Sequence, residues 1–437
     1  MSEIQIGLLS IFMMLLLVQS GMHIAVALLL LSFVSVWAIK GDFEIAGGLL
    51  ALSTTKSVAS YSFGVIPLFV VMGMFVGVSG VGRDTFEVAA QLFRSIRGGL
   101  GMATVMANAV FAAVNGTSIA SASVFTRIAV PELLRLGYTP RFAVGVVAGS
   151  SVLGMLIPPS LLLILYGIIS EVSIGDLFTA GIVPGIVLSV FFTITIWALA
   201  TFFPGFVMAK ATSERQAATQ HPPMVLIYKM FPITLLIVIV LGGIYGGVFT
   251  PTEAGAVGAL GAMLLAIVRR TLNLKKLWEI LIETGHVTAS ILFLLVAAHL
   301  YATMLALSGL PDFLGKWMRE SGLGLYGILG VYLVVIIILG CILDSASIML
   351  ILLPLILPIV SGLNVDLVWF GVITVVAIEI GLLTPPLGVA VFVVKNNMQD
   401  DRISINDIFV GAAPFAFTML LLVLLLLAIP KVATVLL

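Results

Sequence analysis

The stretch that decides the fold is Gly149-Ser150-Ser151-Val152-Leu153-Gly154-Met155-Leu156-Ile157-Pro158-Pro159-Ser160, inside an apolar segment that runs from about 142 to 169. The segment otherwise has the composition of a membrane-spanning helix. Pro158 and Pro159 remove two successive backbone donors and clash with the preceding turn, so the helix must break there. Lipid cannot satisfy the backbone groups that a break frees, so broken helices persist only where they are buried in protein or line a cavity. A broken span indicates a transporter's binding site when the other half of the chain repeats it.

The composition is that of a membrane protein. Of the 437 residues, 61% are hydrophobic and 9% are charged, whereas soluble domains carry roughly 25% charged residues. We therefore predict an all-α polytopic membrane protein, located in a membrane as a multi-pass chain. The net charge is zero, which leaves no basic surface for nucleic acid. The sequence has no zincin, nucleophile-elbow, Walker A or Cys/His metal motif, so it predicts neither an enzyme nor a bound cofactor.

Apolar runs predict the spans, and two charged amphipathic segments predict helices that lie along the membrane surface. The predicted spans are 4–18, 23–39, 61–79, 141–169, 178–203, 230–248, 254–268, 286–308, 365–394 and 408–430. The predicted surface helices are 83–97 and 272–283. The first two spans are short for full crossings, so we expect them to be tilted or partly interfacial.

Two further regions, about 100–131 and about 323–360, each have a polar tip between two apolar arms. The tips are Asn115-Gly116-Thr117-Ser118 and Asp344-Ser345-Ala346-Ser347. Each region is either two spans joined by a buried turn or a re-entrant hairpin that enters and leaves on one side. We favour re-entrant helical hairpins with tips buried in protein, because lipid would leave the polar tips without partners.

The hairpins and broken helices repeat at a shift of 227 residues, the interval from Ser118 to Ser345. The same shift places Gly154 on Gly381 and Pro158-Pro159 on Pro385-Pro386. If both hairpins are re-entrant and the first opens to the cytoplasm, most Lys and Arg fall on the cytoplasmic side. Corresponding pieces of the two halves then lie on opposite faces of the membrane. We therefore predict an inverted repeat with two Gly/Pro-broken helices. Its parts are a first repeat over 1–205 (hairpin about 100–131, broken helix about 141–169), a cytoplasmic linker over 206–228, and a second repeat over 229–437 (hairpin about 323–360, broken helix about 365–394).

A polar tip and a broken helix at matching positions suit a hard monovalent cation. Unwound carbonyls and hydroxyls supply oxygen ligands, and helix C-terminal ends carry partial negative charge. The predicted Na⁺ ligands of the first half, acting largely through carbonyls, are Asn115, Gly116, Thr117, Ser118, Gly154, Ile157 and Pro158. Those of the second half are Asp344, Ser345, Gly381, Thr384 and Pro385. The alternative is that small residues here only allow close helix packing, but close packing does not require duplicated Pro-Pro breaks.

An anionic substrate is expected between the two cation sites, because the helices that follow the tips point backbone donors there. The candidate substrate contacts are Ser121, Ser150, Ser160, Ser347, Pro159 and Pro386.

Two carboxylates, Asp344 and Glu379, remain at membrane depth, and such groups indicate a functional site. Asp344 is either a Na⁺ ligand or a proton carrier, and we favour the ligand. Glu379 precedes Gly381 by two positions, and we predict that it braces the break by accepting backbone N–H bonds without binding the ion itself. Arg127 either extends to the interface or meets substrate, and His299 is either a proton relay or a packing residue.

Three motifs carry a resemblance to a known family. They are Gly154-Met155-Leu156-Ile157-Pro158-Pro159-Ser160, Gly247-Val248-Phe249-Thr250-Pro251-Thr252-Glu253-Ala254, and Glu379-Ile380-Gly381-Leu382-Leu383-Thr384-Pro385-Pro386-Leu387-Gly388. In this order they resemble the large membrane (M) subunit of tripartite ATP-independent periplasmic (TRAP) transporters, and the resemblance covers nearly the whole chain.

The resemblance implies an elevator-type secondary transporter of the bacterial inner membrane. Such a permease imports an organic anion, such as a C4-dicarboxylate, sialic acid or a related carboxylate, with Na⁺ as the coupling ion. It implies two partners, a small membrane subunit of about four spans and a periplasmic substrate-binding protein. The alternatives are a Na⁺/dicarboxylate symporter that works alone and an anion channel.

Overall fold

The computed structural model describes residues 1–209, 221–398 and 402–437, and in these ranges the chain forms helices and no β-strand. The helices of the first half are α1 (Glu3–Gln19), α2 (Ile24–Lys40), α3 (Phe43–Val58), a 3₁₀ turn (Tyr61–Gly64), α4 (Val65–Val78), α5 (Val81–Phe93), α6 (Gly99–Asn115), α7 (Ser118–Arg135), α8 (Pro140–Ser151), α9 (Leu153–Leu156), α10 (Leu161–Ser170), α11 (Ile174–Phe202) and α12 (Pro204–Val207). Those of the second half are α13 (Pro223–Tyr245), α14 (Pro251–Val268), α15 (Leu274–Leu307), α16 (Leu310–Glu320), α17 (Gly324–Gly340), α18 (Ser345–Ser361), α19 (Leu367–Leu382), α20 (Val389–Asn397), α21 (Ile405–Ala428) and α22 (Lys431–Thr434).

Among the described residues, seven helical segments are long and apolar enough to cross a membrane. They are Tyr61–Val78, Pro140–Ser170, Ile174–Phe202, Pro223–Tyr245, Pro251–Val268, Leu274–Leu307 and Ile405–Ala428. Each of them overlaps a span predicted from the sequence. The class of all-α polytopic membrane protein is therefore confirmed.

Several helices differ from the prediction, among them α16 (Leu310–Glu320), which the sequence analysis did not propose. The segment 272–283 is not a separate surface helix, because α15 continues without interruption for 34 residues from Leu274 to Leu307. No Gly or Pro lies near the junction that could have ended the first part, apart from Gly285, and a single glycine in a helix costs only about 1 kcal/mol relative to alanine. The structure also contains α3 (Phe43–Val58), which the sequence analysis did not propose.

Residues 210–220 of the predicted linker 206–228 lie outside the described ranges. Its last residues belong to a helix, since α13 begins at Pro223. Proline at the first helical position is favourable because its missing N–H would have had no partner there.

The first broken helix is interrupted at its two prolines. After α8 and the single turn α9, Ile157 adopts an extended backbone conformation. The chain resumes as α10, where the hydroxyl of Ser160 caps the new helix by accepting from the N–H of Leu163 at 3.2 Å. The N-cap supplies a partner for one of the N–H groups that a helix start leaves free.

The second broken helix is interrupted at the equivalent place. Here α19 ends at Leu382 and α20 begins at Val389, after Gly388 in a left-handed conformation with φ 57°. A glycine adopts this conformation without the steric cost that a side chain adds.

Each hairpin is a pair of helices joined by a tight turn. Gly116, with φ 73°, ends α6, and the side chain of Thr117 caps α7. In the second hairpin α17 ends at Gly340, and the side chain of Asp344 caps α18.

The two halves of the chain pack against each other through helices of both halves. The helix α8 of the first half lies along α21 of the second, and α7 lies along α20. The helices α8 and α21 come close at Gly145 and Gly411, where a Cβ added to Gly145 would lie 2.1 Å from the carbonyl carbon of Gly411. Small residues at such crossings let two helix backbones touch. The hairpins and broken helices of both halves therefore share one continuous buried core.

Candidate functional site

The first hairpin tip contacts the first helix break through backbone atoms. The carbonyl of Gly116 accepts a hydrogen bond from the N–H of Leu161 at 3.0 Å, directly after the Pro-Pro pair. A Cβ on Gly154 would lie 2.5 Å from the carbonyl oxygen of Thr117, and one on Gly116 would lie 2.7 Å from that of Pro159. Glycine is required at both positions because any side chain would separate the tip from the break. Pro158 and Pro159 are buried, and Ile157 is partly buried.

Polar groups at the first tip are held mainly by one another. The amide of Asn115 donates to the carbonyl of Thr117 at 2.9 Å and lies within 3.4 Å of the hydroxyl of Ser121. The Thr117 hydroxyl accepts from the N–H of Ala120 at 3.3 Å. Ser118 differs from its neighbours, since its hydroxyl oxygen is buried and has no hydrogen-bond partner.

The second tip contacts the second break in a similar way. The carbonyl of Cys341 accepts from the N–H of Leu387 at 3.0 Å. A Cβ on Gly381 would lie 2.5 Å from the Cα of Gly340, so the end of α17, the first arm of the hairpin, touches the broken helix. The Thr384 hydroxyl donates to the carbonyl of Ile380 at 2.7 Å. A hydroxyl that donates in this way still has a lone pair for a ligand.

The two breaks differ in exposure. The prolines of the first break are buried, whereas Pro385, Pro386 and Leu387 are exposed. The first break is covered by α11, where the carbonyl of Leu156 and a ring atom of Pro158 approach Gly181. This difference in exposure cannot be predicted from the sequence, because both breaks lie in equally apolar segments.

Asp344 caps its own hairpin arm. One carboxylate oxygen accepts from the N–H of Ser347 at 3.2 Å, and the other accepts from the Ser347 hydroxyl. Asp344 and Ser347 also line a cavity of about 460 Å³, together with residues of the α1–α2 turn such as His23 and of α15 such as Ser290. The carboxylate is thus placed where the second hairpin meets the first helices of the chain.

Glu379 lies between the two tips. It is buried, with 1% of its surface exposed, and its Oε1 accepts from the hydroxyl of Ser345 at 2.9 Å. The hydroxyl of Ser118 in the first tip lies near the same carboxylate, but no hydrogen bond joins the two groups, and Oε2 of Glu379 has no hydrogen-bond partner. The sequence predicted backbone N–H partners for Glu379. In the described part of the chain its hydrogen-bonding partner is instead a side chain, and its neighbours are the two serines that the 227-residue shift relates.

The candidate substrate contacts do not form one surface. The Ser150 hydroxyl accepts from Asn108 at 2.7 Å and donates to the carbonyl of Val146, and Ser160 caps α10. Ser121 lies beside Asn115, whereas Ser347 lies beside Asp344 at the other tip. Pro159 is buried and Pro386 is exposed. Of these residues, Ser121, Pro159 and Ser160 lie at the first tip and break.

The sequence analysis missed Asn397, which holds Arg127. Its Oδ1 accepts from Nη2 of Arg127 at 2.8 Å, from Nε at 3.2 Å, and from the hydroxyl of Ser123 at 2.9 Å. These bonds join α7 of the first hairpin to α20 of the second broken helix. Arg127 therefore joins the two halves of the chain through these hydrogen bonds. A polar Asn at the end of an apolar helix was the available signal, but it did not indicate the partner.

A cavity of about 1090 Å³ opens beside the end of α10. Glu171 and Asp176 line it together with His299, Tyr61 and Tyr245. His299 is exposed to this space, so it is not a buried packing residue.

Comparisons with known proteins agree with this architecture. A family model described as the DctM component of the tripartite ATP-independent periplasmic transporter matches residues 11–432. The chain is 36% identical, over 345 residues and 79% of each chain, to the C4-dicarboxylate TRAP transporter large permease protein DctM of Pseudomonas aeruginosa. It is 31% identical, over 331 residues and 76% of each chain, to the sialic acid TRAP transporter large permease protein SiaM of Vibrio cholerae.

A solved structure shares the fold at low sequence identity. The YdaH transporter of Alcanivorax borkumensis superimposes with a TM-score of 0.59 and 16% identity, over 87% of this chain and 86% of that one.

Proposed function

The chain belongs to the DctM component family of tripartite ATP-independent periplasmic transporters and is a multi-pass protein of the inner membrane, and we propose that it is the large permease subunit that imports an organic anion together with Na⁺. The observation that carries the proposal is the paired contact of a polar hairpin tip with a broken helix, once around Gly116 and Leu161 and once around Cys341 and Leu387. A paired arrangement of this kind suits coupled binding of ions and an anion.

Na⁺ is proposed to bind at each tip. The first tip offers the carbonyls of Gly116 and Thr117 beside Gly154, and hydroxyl and amide oxygens of the same turn. The second offers Ser345 and the hydroxyl of Thr384, with Asp344 at the cap. Oxygen-only ligands from carbonyls, hydroxyls and carboxylates are those that hard cations prefer. The remaining proposed ligands are Asn115, Ser118, Ile157, Pro158, Gly381 and Pro385.

The substrate is proposed to be a carboxylate that binds between the tips. The relatives named above carry C4-dicarboxylates and sialic acid, and both are carboxylates. Helix starts at α7 and α18 supply backbone donors with a partial positive charge for such a group. Coupling requires that Na⁺ stabilise the state that binds substrate more than the other states.

The two halves, 1–205 and 229–437, are proposed to form an inverted repeat whose hairpins and broken helices move together as an elevator. The interlocked contacts of α8 with α21 and of α7 with α20 support movement as one body. We assign the static role to helices outside this body, among them α4, α14 and α15. The ion pairs Arg269–Asp84 and Lys229–Glu87 fasten α5 to α14 and α13.

The proposal includes two protein partners, a small membrane subunit and a periplasmic substrate-binding protein. The word tripartite in the family description supports three components.

Uptake into proteoliposomes tests the proposed function. The permease and small subunit are reconstituted, and uptake of a labelled C4-dicarboxylate or sialic acid is measured with its binding protein outside. We expect uptake only with the binding protein and an inward Na⁺ gradient. Uptake that is the same in choline chloride would contradict Na⁺ coupling, and uptake without the binding protein would favour a symporter that works alone. Currents far above carrier turnover would instead indicate a channel.

A further inference from the structure

We infer that Glu379 is a positioning residue shared by both cation sites, orienting the hydroxyls of Ser118 and Ser345 so that their oxygens face the ions. The inference rests on the proposed function and extends it. It assigns to one carboxylate of the second half a role at the tip of the first half.

The argument begins with the chemistry of a serine hydroxyl. The group has one proton to donate and two lone pairs to offer. When the oxygen ligates a cation, its proton must point away from the ion, and an acceptor on that side fixes the orientation. Groups behind the metal ligands commonly do this, and their loss typically lowers metal affinity about 10- to 100-fold.

Glu379 has the required geometry at the second tip. The Ser345 hydroxyl donates to Oε1 at 2.9 Å, so the lone pairs of the serine oxygen are directed elsewhere. Ser345 is 6% exposed and Glu379 is 1% exposed. In such a buried place the hydrogen bond is stronger than in water, because little water competes for it.

At the first tip, Ser118 takes the place that Ser345 has at the second tip. Ser118 is 1% exposed and lies near the same carboxylate, without a hydrogen bond to it. The Ser118 hydroxyl and Oε2 of Glu379 are two buried polar atoms without other partners. Leaving a buried polar group unpaired costs about 1–3 kcal/mol, so these two atoms at one place point to a bound species or a closer approach that satisfies both. A cation on Ser118, with the serine proton turned to Oε2, satisfies both.

The arrangement is asymmetric in sequence but serves both halves. Ser118 and Ser345 are related by the 227-residue shift, whereas the position equivalent to Glu379 in the first half is Val152. The first half therefore has no carboxylate of its own at this place. We conclude that occupancy of one tip influences the other through Glu379, since both serines depend on the same group.

Four substitutions separate the contributions. Glu379→Gln keeps one acceptor oxygen and replaces the other with a donor, so it can serve one serine but not both. Glu379→Ala removes both acceptors. Ser151→Ala is the matched control for Ser118→Ala, because Ser151 is also fully buried but its hydroxyl donates to the carbonyl of Ala148 at 2.7 Å.

The readout is stabilisation of the purified protein by Na⁺, measured as thermal unfolding in detergent while NaCl replaces choline chloride at constant ionic strength. An ion that binds only the folded state raises the free energy of unfolding with the logarithm of the ion concentration. The limiting slope of that dependence reports the number of ions bound. We expect Glu379→Gln to shift one binding step to about 10- to 100-fold higher Na⁺ concentration, and Glu379→Ala to shift both. In the double variant lacking both serine hydroxyls, Glu379→Gln should add no further shift in the Na⁺ midpoint.

Unfolding in choline chloride alone separates a merely structural role. A role in folding only would lower the unfolding temperature of Glu379→Gln without moving the Na⁺ midpoint, and this result would overturn the inference. A midpoint for Glu379→Ala within twofold of the unmodified protein, or full additivity with the serine variants, would overturn it as well. If the unmodified protein itself shows no stabilisation by Na⁺, the proposed Na⁺ coupling fails first.

Discussion

Replacing Gly154 with alanine tests whether the first tip must contact the first break. The added Cβ would lie 2.5 Å from the carbonyl oxygen and 2.7 Å from the carbonyl carbon of Thr117. Both are backbone atoms, so no side-chain rotation relieves the contact. Moving the oxygen from 2.5 Å to the ordinary contact limit of 3.4 Å needs a shift of about 0.9 Å, whereas binding sites tolerate displacements of only about 0.5 Å.

The expected size of the effect follows from this overlap. Forcing extra atoms into a packed region typically costs about 1–3 kcal/mol. If this cost applies to the state in which the tip is packed on the break, the population of that state falls about 5- to 150-fold. Because the carbonyl of Thr117 is a proposed Na⁺ ligand, the apparent Na⁺ affinity should fall by the same factor.

The assay is the Na⁺ dependence of uptake in proteoliposomes, with thermal unfolding in choline chloride as the measure of folding. Gly77→Ala in α4 is the control, because nothing lies within 4 Å of its added Cβ and alanine is the better helix former. If Gly154→Ala has the Na⁺ midpoint and uptake rate of the Gly77→Ala protein, direct contact between the tip and the break is not needed for ion binding.

Two other substitutions test how the helices are held together. Asn397→Ala should lower the free energy of unfolding by about 1–2 kcal/mol, because the guanidinium of Arg127 loses its acceptor. Asn397→Asp should retain stability. Equal stability of the Ala and Asp variants would show that the hydrogen bonds of Arg127 to Asn397 do not hold α7 and α20 together. Arg269→Gln should lower the free energy of unfolding by about 1–2 kcal/mol, because it breaks the partly buried ion pair with Asp84. Lys275→Gln should lower it by no more than about 0.5 kcal/mol, because Lys275 belongs to a surface ion pair in which its side chain is 87% exposed. Equal losses in the last two variants, measured by denaturant or thermal unfolding in detergent, would show that burial of the Arg269 pair adds nothing.

The sequence was sufficient for the features that depend on local chemistry. Two adjacent prolines lack the N–H groups that a helix needs, so the interruptions at Pro158 and Pro385 follow from the residues themselves. Polar tips between apolar arms likewise predict turns that must be buried in protein, and the helical pairs meet at Gly116 and Asp344 as expected. The resemblance to the TRAP large subunit rests on the same motifs, and the family match over 11–432 confirms it.

Only the tertiary structure decided which distant groups meet. Glu379 lies 34 residues from Ser345 in sequence and belongs to the other half from Ser118, and no periodicity relates the three. Arg127 and Asn397 are 270 residues apart, so their hydrogen bonds exist only because α7 packs on α20. The burial of one break and the exposure of the other also depend on which helices cover them. The physical reason is that an apolar helix face can pack equally well against many others. Its few polar side chains acquire partners only once the packing of the two halves has placed them side by side.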